Sequence, residues 1–149
     1  MLRHVEKKDE SLFMELCDEF YHSDAVLEPI PVSYIQDTFN EIIRSKDYLE
    51  CFILEFNNEP AGYALLSKSF SPEVGGPSIW FEEIYVRPNY QGKGLGKEVF
   101  AYVNANIKAA RYRLEVEEDN QRAIALYERL GYKVLPYMQM VNDRKENND

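Results

Sequence analysis

Three features of this sequence predict a mixed α/β (α+β) fold in which helices pack on a central sheet. Apolar residues alternate with polar ones in several short stretches, they recur at helical spacing in others, and the two kinds are interleaved along the chain. The order is strand, two helices, three strands, helix, strand, helix, then one or two closing strands, which makes six to seven strands and about four helices. No internal repeat is present and no linker is long enough to divide the chain, so residues 1–142 form one domain. Residues 143–149 are a polar tail.

The elements follow in order. "LRHVEK" alternates as a first strand, and from Asp9 the residues Leu12, Phe13, Leu16 and Phe20 recur at helical spacing. The prolines of "HSDAVLEPIP" interrupt the pattern. Ser33 with Gln36 has the form of a capping box, ahead of a second helix whose inner face is Ile35, Phe39, Ile42 and Ile43. "ECFILEF" and "PAGYALLSKSF" are strands joined by a hairpin turn at "NNE", and "IWFEEIYV" is a fourth strand after the break "SPEVGGPS". Val99, Phe100, Val103, Ile107 and Ala110 mark a third helix, and "RLEVE" a short strand. Asn120 is placed to cap a fourth helix carrying Ala123, Ile124, Tyr127 and Leu130 on one side, with Gly131 as its stop. "YKVL" and "YMQMV" are expected to close the sheet as a hairpin broken at Pro136.

Composition excludes several classes. The chain has 149 residues and a formal charge of −9, unlike a protein that clusters Lys and Arg on a phosphate backbone, so no nucleic-acid partner is expected. No run approaches the roughly 18 apolar residues of a membrane span, and "MLRHVEKKDE" has no apolar leader. No membrane association and a cytoplasmic location are expected. Cys17 and Cys51 lack metal-like spacing and read as structural thiols, so no metal site is expected. His22 reads as a surface residue.

The most informative stretch is "VRPNYQGKGLGKEVF", with three glycines in five residues directly before a helix. A helix N-terminus carries unpartnered amides and partial positive charge, and glycine lets the backbone approach an anion and adopt positive φ. A Walker A loop is excluded, because Gln91 stands where its first glycine belongs and Glu98 where Ser or Thr must follow Lys97. A dinucleotide fingerprint is also excluded, since Gly92, Gly94 and Gly96 have the wrong spacing and follow a fourth strand.

The stretch resembles the acetyl-CoA signature of the GNAT superfamily of N-acetyltransferases, Gln/Arg-x-x-Gly-x-Gly/Ala, at Gln91, Gly94 and Gly96. Val86 to Pro88 ahead of it, and the downstream run from Asn120 through Ala123 and Tyr127 to Tyr132, are similar to flanking motifs of that family. The resemblance implies a mostly antiparallel GNAT-like sheet and acetyl-CoA as cosubstrate. It also implies direct acetyl transfer in a ternary complex to a primary amine, on a small molecule or a protein. Backbone groups of Ile84, Tyr85 and Val86 would meet the cofactor arm. The loop Gln91, Gly92, Lys93, Gly94, Leu95, Gly96 and Lys97 would hold its pyrophosphate, and Asn120 and Ala123 would contact the arm from the fourth helix.

A substrate ammonium with pKa near ~10 must lose a proton before it attacks, and the departing thiolate must gain one. Glu82 and Glu83 are adjacent and are expected on opposite faces of their strand. Resemblance to the polyamine-acetylating branch of the family favours Glu82 as base through a water, and the plain alternative is a solvated strand residue. Tyr127 matches the family's general acid, although its spacing alone would make it a packing residue. The negative charge favours small cationic amines. A non-catalytic acyl-CoA-binding or regulatory module is the alternative, and pairing of two copies through a sheet edge or the last strands is common in relatives.

Overall fold

The computed structural model describes residues 1–145. Its sheet contains β1 (Leu2–His4), β2 (Leu49–Phe56), β3 (Glu59–Ser71), β4 (Gly76–Val86) and β5 (Arg111–Arg113), in that spatial order. The first four pair antiparallel, and β5 joins β4 in parallel. Helices α1 (Glu10–Tyr21), α2 (Val32–Arg44), α3 (Leu95–Asn106) and α4 (Gln121–Arg129) complete the fold.

The long β2–β3–β4 meander follows from alternating apolar residues, and its tight turn from Asn57 and Asn58. Both asparagines adopt positive φ, as a hairpin that matches strand twist requires. On one face of the sheet, Phe13, Leu16, Ile35 and Phe39 of α1 and α2 pack with Ile53, Tyr63 and Leu65. On the other, Leu95, Val99 and Val103 of α3 pack with Phe52, Leu54, Leu66, Ile79 and Phe81. Cys17 and Cys51 are buried free thiols, in agreement with a structural role. Among the described residues no helix is long and apolar enough to cross a membrane.

Three expectations are corrected. The sheet has five strands, not six to seven: past Gly131 the described chain forms no strand, and Val134, Met138, Met140 and Val141 of the expected hairpin lie exposed. A three-residue β5 offers little ladder for further pairing, and Pro136 has no amide to contribute. The strand expected at "RLEVE" lies earlier, at Arg111–Arg113, because β5 meets β4 only opposite Ser78, Ile79 and Trp80. Helix α2 begins before Ser33, with Pro31 at its N-cap, and Gln36 donates instead to Glu10 and Asn40. Lys145 of the polar tail pairs with Asp37 of α2 at 3.0 Å. Residues 146–149 lie outside the described residues.

Candidate active site

The centre of the candidate site is an irregularity in β4. Leu65 of β3 faces Glu83 and Leu66 faces Phe81, so Glu82 is an extra residue, a β-bulge. The bulge shifts the alternation: Ile79 and Phe81 pack toward α3 before it, and Ile84 and Val86 pack toward α3 after it. Glu83 therefore points to the α1–α2 face, where its carboxylate accepts hydrogen bonds from Tyr21 and from Tyr63 at 2.7 Å. Exposed Glu82 accepts a 2.7 Å bond from Ser67 Oγ. Tyr63, Leu65 and Ser67 share one face of β3, so both carboxylates lie on that face. This corrects the expectation of opposite faces, which assumes an unbroken period of two.

Burial pushes the Glu83 carboxyl above the usual carboxylate range against the opposing pull of the two tyrosine hydrogen bonds, and the neighbouring Glu82 charge adds to the rise. Beside Glu83 lies a small hollow of about 10 Å³, walled by Phe13, Cys17, Ile35 and Thr38, at the lower bound for a single water. Burial pushes the Cys17 thiol up to about 12, which keeps it protonated. Arg87 fastens this face to the end of β4: its guanidinium pairs with Glu19 at 2.9 Å and Glu15 at 3.0 Å on α1 and also donates to the Pro60 carbonyl.

Beyond Trp80 the sheet splits. One edge of β4 from Phe81 to Val86 stays paired with β3, while the other has no strand beside it. The Arg87 amide donates to the Ala61 carbonyl at 2.8 Å, which sets the alternation of backbone groups. By that alternation the peptide groups of Ile84 and Val86 face the open edge, and those of Tyr85 face β3. The Val86 carbonyl is met by Gln91 Nε2 at 3.1 Å, so the glutamine of the signature ties the loop to the strand end. Tyr85 is a correction: its backbone is committed to β3, and its hydroxyl donates to Glu19 of α1 at 3.0 Å.

The loop that follows has the geometry of an anion cradle. Gly92 (φ 78°) and Gly94 (φ 81°) are left-handed, a conformation that disfavours side chains, and Gly94 is the N-cap of α3. The first amide past the loop to find a carbonyl is that of Glu98, on Gly94 at 3.0 Å. Those from Gly92 to Lys97 have no backbone partner among the described residues. Leu95 is buried and anchors the turn, whereas Lys93 leans over the Phe56 ring.

A cleft of about 880 Å³ extends from here, lined by Lys97, Phe100, Trp80, Arg113 and Tyr127, within the usual size range of ligand sites. On α4 the Asn120 side chain accepts from the Ala123 amide at 3.2 Å, which commits that amide to the helix cap. Tyr127 packs its ring against Phe100 and Tyr132, and burial raises its hydroxyl above the ordinary tyrosine value. A pyrophosphate-bearing cofactor with an extended amide arm fits these residues: unpartnered amides for its anion, a free strand edge for its amides, and an apolar cleft. Among the described residues no cluster of His, Cys, Asp or Glu is placed to hold a metal ion.

Tyr21, Tyr63, Trp80 and Arg113 were not singled out from sequence. A buried tyrosine such as Tyr63 in an apolar alternation signals a hydroxyl that needs a partner, but not which one.

The profile of the Acetyltransferase (GNAT) family matches residues 10–132. The chain is 27% identical to thialysine N-epsilon-acetyltransferase of Bos taurus over 147 residues, covering 88% of this chain and 82% of that protein. It is 27% identical over 110 residues to spermine/spermidine N(1)-acetyltransferase of Bacillus subtilis (strain 168), covering 68% and 72%. The fold is that of aminoglycoside N-acetyltransferase AAC(6')-Iy in complex with CoA, with a TM-score of 0.76, 18% identity, and 97% and 95% of the two chains covered.

Proposed function

Since the chain belongs to the GNAT family of acetyltransferases, we propose that it transfers the acetyl group of acetyl-CoA to a primary amine by direct attack in a ternary complex, with a small cationic amine as acceptor. The observation that carries this reading is the unpaired edge of β4 beyond Trp80 together with the unpartnered amides of residues 92–97, the first reaching one cleft at Phe81 and the second at Lys97. The relatives named for thialysine, spermine and spermidine support an amine acceptor.

Acetyl-CoA supplies an activated thioester. The amides of Gly92 to Lys97 and the α3 N-terminus hold its pyrophosphate, and the outward peptide group of Ile84 aligns its arm. Glu82, exposed and oriented by Ser67, takes the ammonium proton of the acceptor through water. Glu83 is occupied by two hydroxyls and orients the tyrosines that wall the acceptor side. Tyr127, kept protonated by burial, donates to the departing thiolate.

The test is release of free thiol from acetyl-CoA with a panel of polyamines, amino acids, aminoglycosides and peptides. Acceptor-dependent release is expected with at least one small amine. Thermal stabilisation by CoA with no release from any acceptor would instead favour a binding module.

A further inference from the structure

Past the bulge, every second residue of β4 and its extension is bonded to α1. Ile84 and Val86 pack toward α3, so Glu83, Tyr85 and Arg87 alternate with them onto the opposite face. Glu83 accepts from the Tyr21 hydroxyl, and the Tyr85 hydroxyl donates to Glu19 at 3.0 Å. The Arg87 guanidinium holds both oxygens of Glu19, through Nε at 3.1 Å and Nη2 at 2.9 Å, and Nη2 also meets Glu15 at 3.0 Å. The last residue of α1 thus meets Glu83 and an earlier turn meets Arg87, so the helix runs antiparallel to β4 with three bonded positions along it.

Apolar packing of Phe13 and Leu16 holds α1 on the sheet, but that attraction has no direction. A two-point pair of guanidinium and carboxylate adds geometric specificity as well as energy, and it makes Arg87 the residue that fixes where α1 ends. The pair is partly shielded, with Arg87 21% and Glu19 32% exposed. What ends there is Tyr21, whose hydroxyl lies on Glu83, the direct neighbour of Glu82 in the bulge. Burial keeps that hydroxyl protonated, and the charges of Glu83 and Glu82 both reinforce the effect. Tyr21 and Glu83 also share the small hollow beside the bulge with Ile30, from the segment that follows α1. The cofactor loop takes the other direction from Arg87, into α3 on the opposite face, and the Arg87 amide reaches the Ala61 carbonyl through the backbone whatever side chain stands there.

Resting on the acetyltransferase reading, we propose that Arg87 is a positioning residue for the acceptor amine. Through Glu19 it sets the end of α1, and with it Tyr21, on the wall beside Glu82. It touches neither the amine nor the cofactor. A displacement of about 1 Å in such a wall costs up to about 100-fold in rate, so loss of the clamp reads out on acceptor turnover while the backbone groups that meet the cofactor stay in place.

The test compares Arg87→Gln, Tyr21→Phe and the double variant with the wild-type protein, using spermidine or, where spermidine is not acetylated, the fastest amine of the panel. Arg87→Gln should lower kcat/KM for the amine by about 10- to 100-fold, with the KM for acetyl-CoA unchanged. Tyr21→Phe should lower it as well, and the double variant should fall no further than Arg87→Gln alone, because two residues bonded to different carboxylates then act through one helix end. Arg87→Lys keeps the charge without the two-point hold and should restore only part of the loss. Should Arg87→Gln fail to fold, Glu19→Gln, at the more exposed end of the clamp, carries the same comparison. Additive losses in the double variant, or a lower Tm with amine kinetics unchanged, overturn the proposal in favour of a purely structural clamp. A raised KM for acetyl-CoA with amine kinetics intact overturns it in favour of a cofactor role. Failure of every amine in the panel overturns the acetyltransferase reading and this one with it, whereas wild-type turnover that Arg87→Gln leaves untouched overturns this one alone.

Discussion

Gly94 and Gly96 stand two residues apart in the same loop, yet the structure assigns them opposite sensitivities. A Cβ added at either meets nothing within 4 Å, so packing does not distinguish them. Backbone conformation does. Gly94 has φ 81°, where a side chain costs about 1–2 kcal/mol, and Gly96 lies in the first turn of α3, where replacing Gly by Ala gains about 0.5–1 kcal/mol. For a chain of this size each kcal/mol moves Tm by about 2–4 °C, so Gly94→Val should lower Tm by about 2–8 °C and Gly96→Ala should raise it by about 1–4 °C. CoA at 100 times its Kd adds about 2.7 kcal/mol, an upward shift of about 5–11 °C in the wild-type protein. Relaxation of residue 94 out of its left-handed conformation turns the loop amides away from the anion. Gly94→Val should therefore lose the CoA shift while remaining folded, and Gly96→Ala should keep it. Differential scanning fluorimetry with and without CoA reads all three proteins. A full CoA shift in Gly94→Val, or equal loss in both variants, would refute the cradle.

Three further outcomes are expected. Glu82→Gln should reduce turnover mainly at low pH, where the acceptor is most protonated, with partial recovery at high pH; a pH–rate profile parallel to that of the wild type would make Glu82 structural. Tyr127→Phe should lower turnover by about 10- to 1,000-fold with unchanged CoA affinity, and unchanged turnover would leave Tyr127 a packing residue. Burial raises Glu83 above its ordinary value of 4.5, so its contribution to stability is fully present below that value and is lost as pH rises through the elevated one. Urea unfolding should accordingly show Glu83→Gln gaining on the wild type between pH 4 and pH 8. A constant difference, or a gain for the wild type, would mean that the carboxyl is not raised.

Helices α1 to α3 were legible because each of them buries a face at period 3.6: Phe13 and Leu16 in α1, Ile35, Phe39 and Ile42 in α2, Val99 and Val103 in α3. The Asn120 cap and the stop at Gly131, which has φ 98°, were also readable, since local chemistry determines both. The bulge at Glu82 was not, because one inserted residue leaves no local mark and shows itself only in the register against β3. The Tyr21–Glu83–Tyr63 cluster joins residues 62 and 20 positions apart, and topology alone brings them together. Alternation in "YKVL" and "YMQMV" suggested strands, but a strand also needs a free edge to pair with, and β5 provides three residues. The loop and Tyr127 stood out through their similarity to family motifs; the stack of Arg113 on Trp80 depends on where β4 and β5 part, which no motif marks.

Amide hydrogen exchange with and without CoA tests most directly whether the split edge and the loop form one cofactor site. Binding should slow exchange at Gly92 to Lys97, whose amides have no backbone partner among the described residues, and at Ile84, whose amide faces the open edge of β4, while Tyr85, already paired with β3, should change little. Protection confined to other segments, or none at saturating CoA, would contradict the placement of the cofactor between β4 and β5.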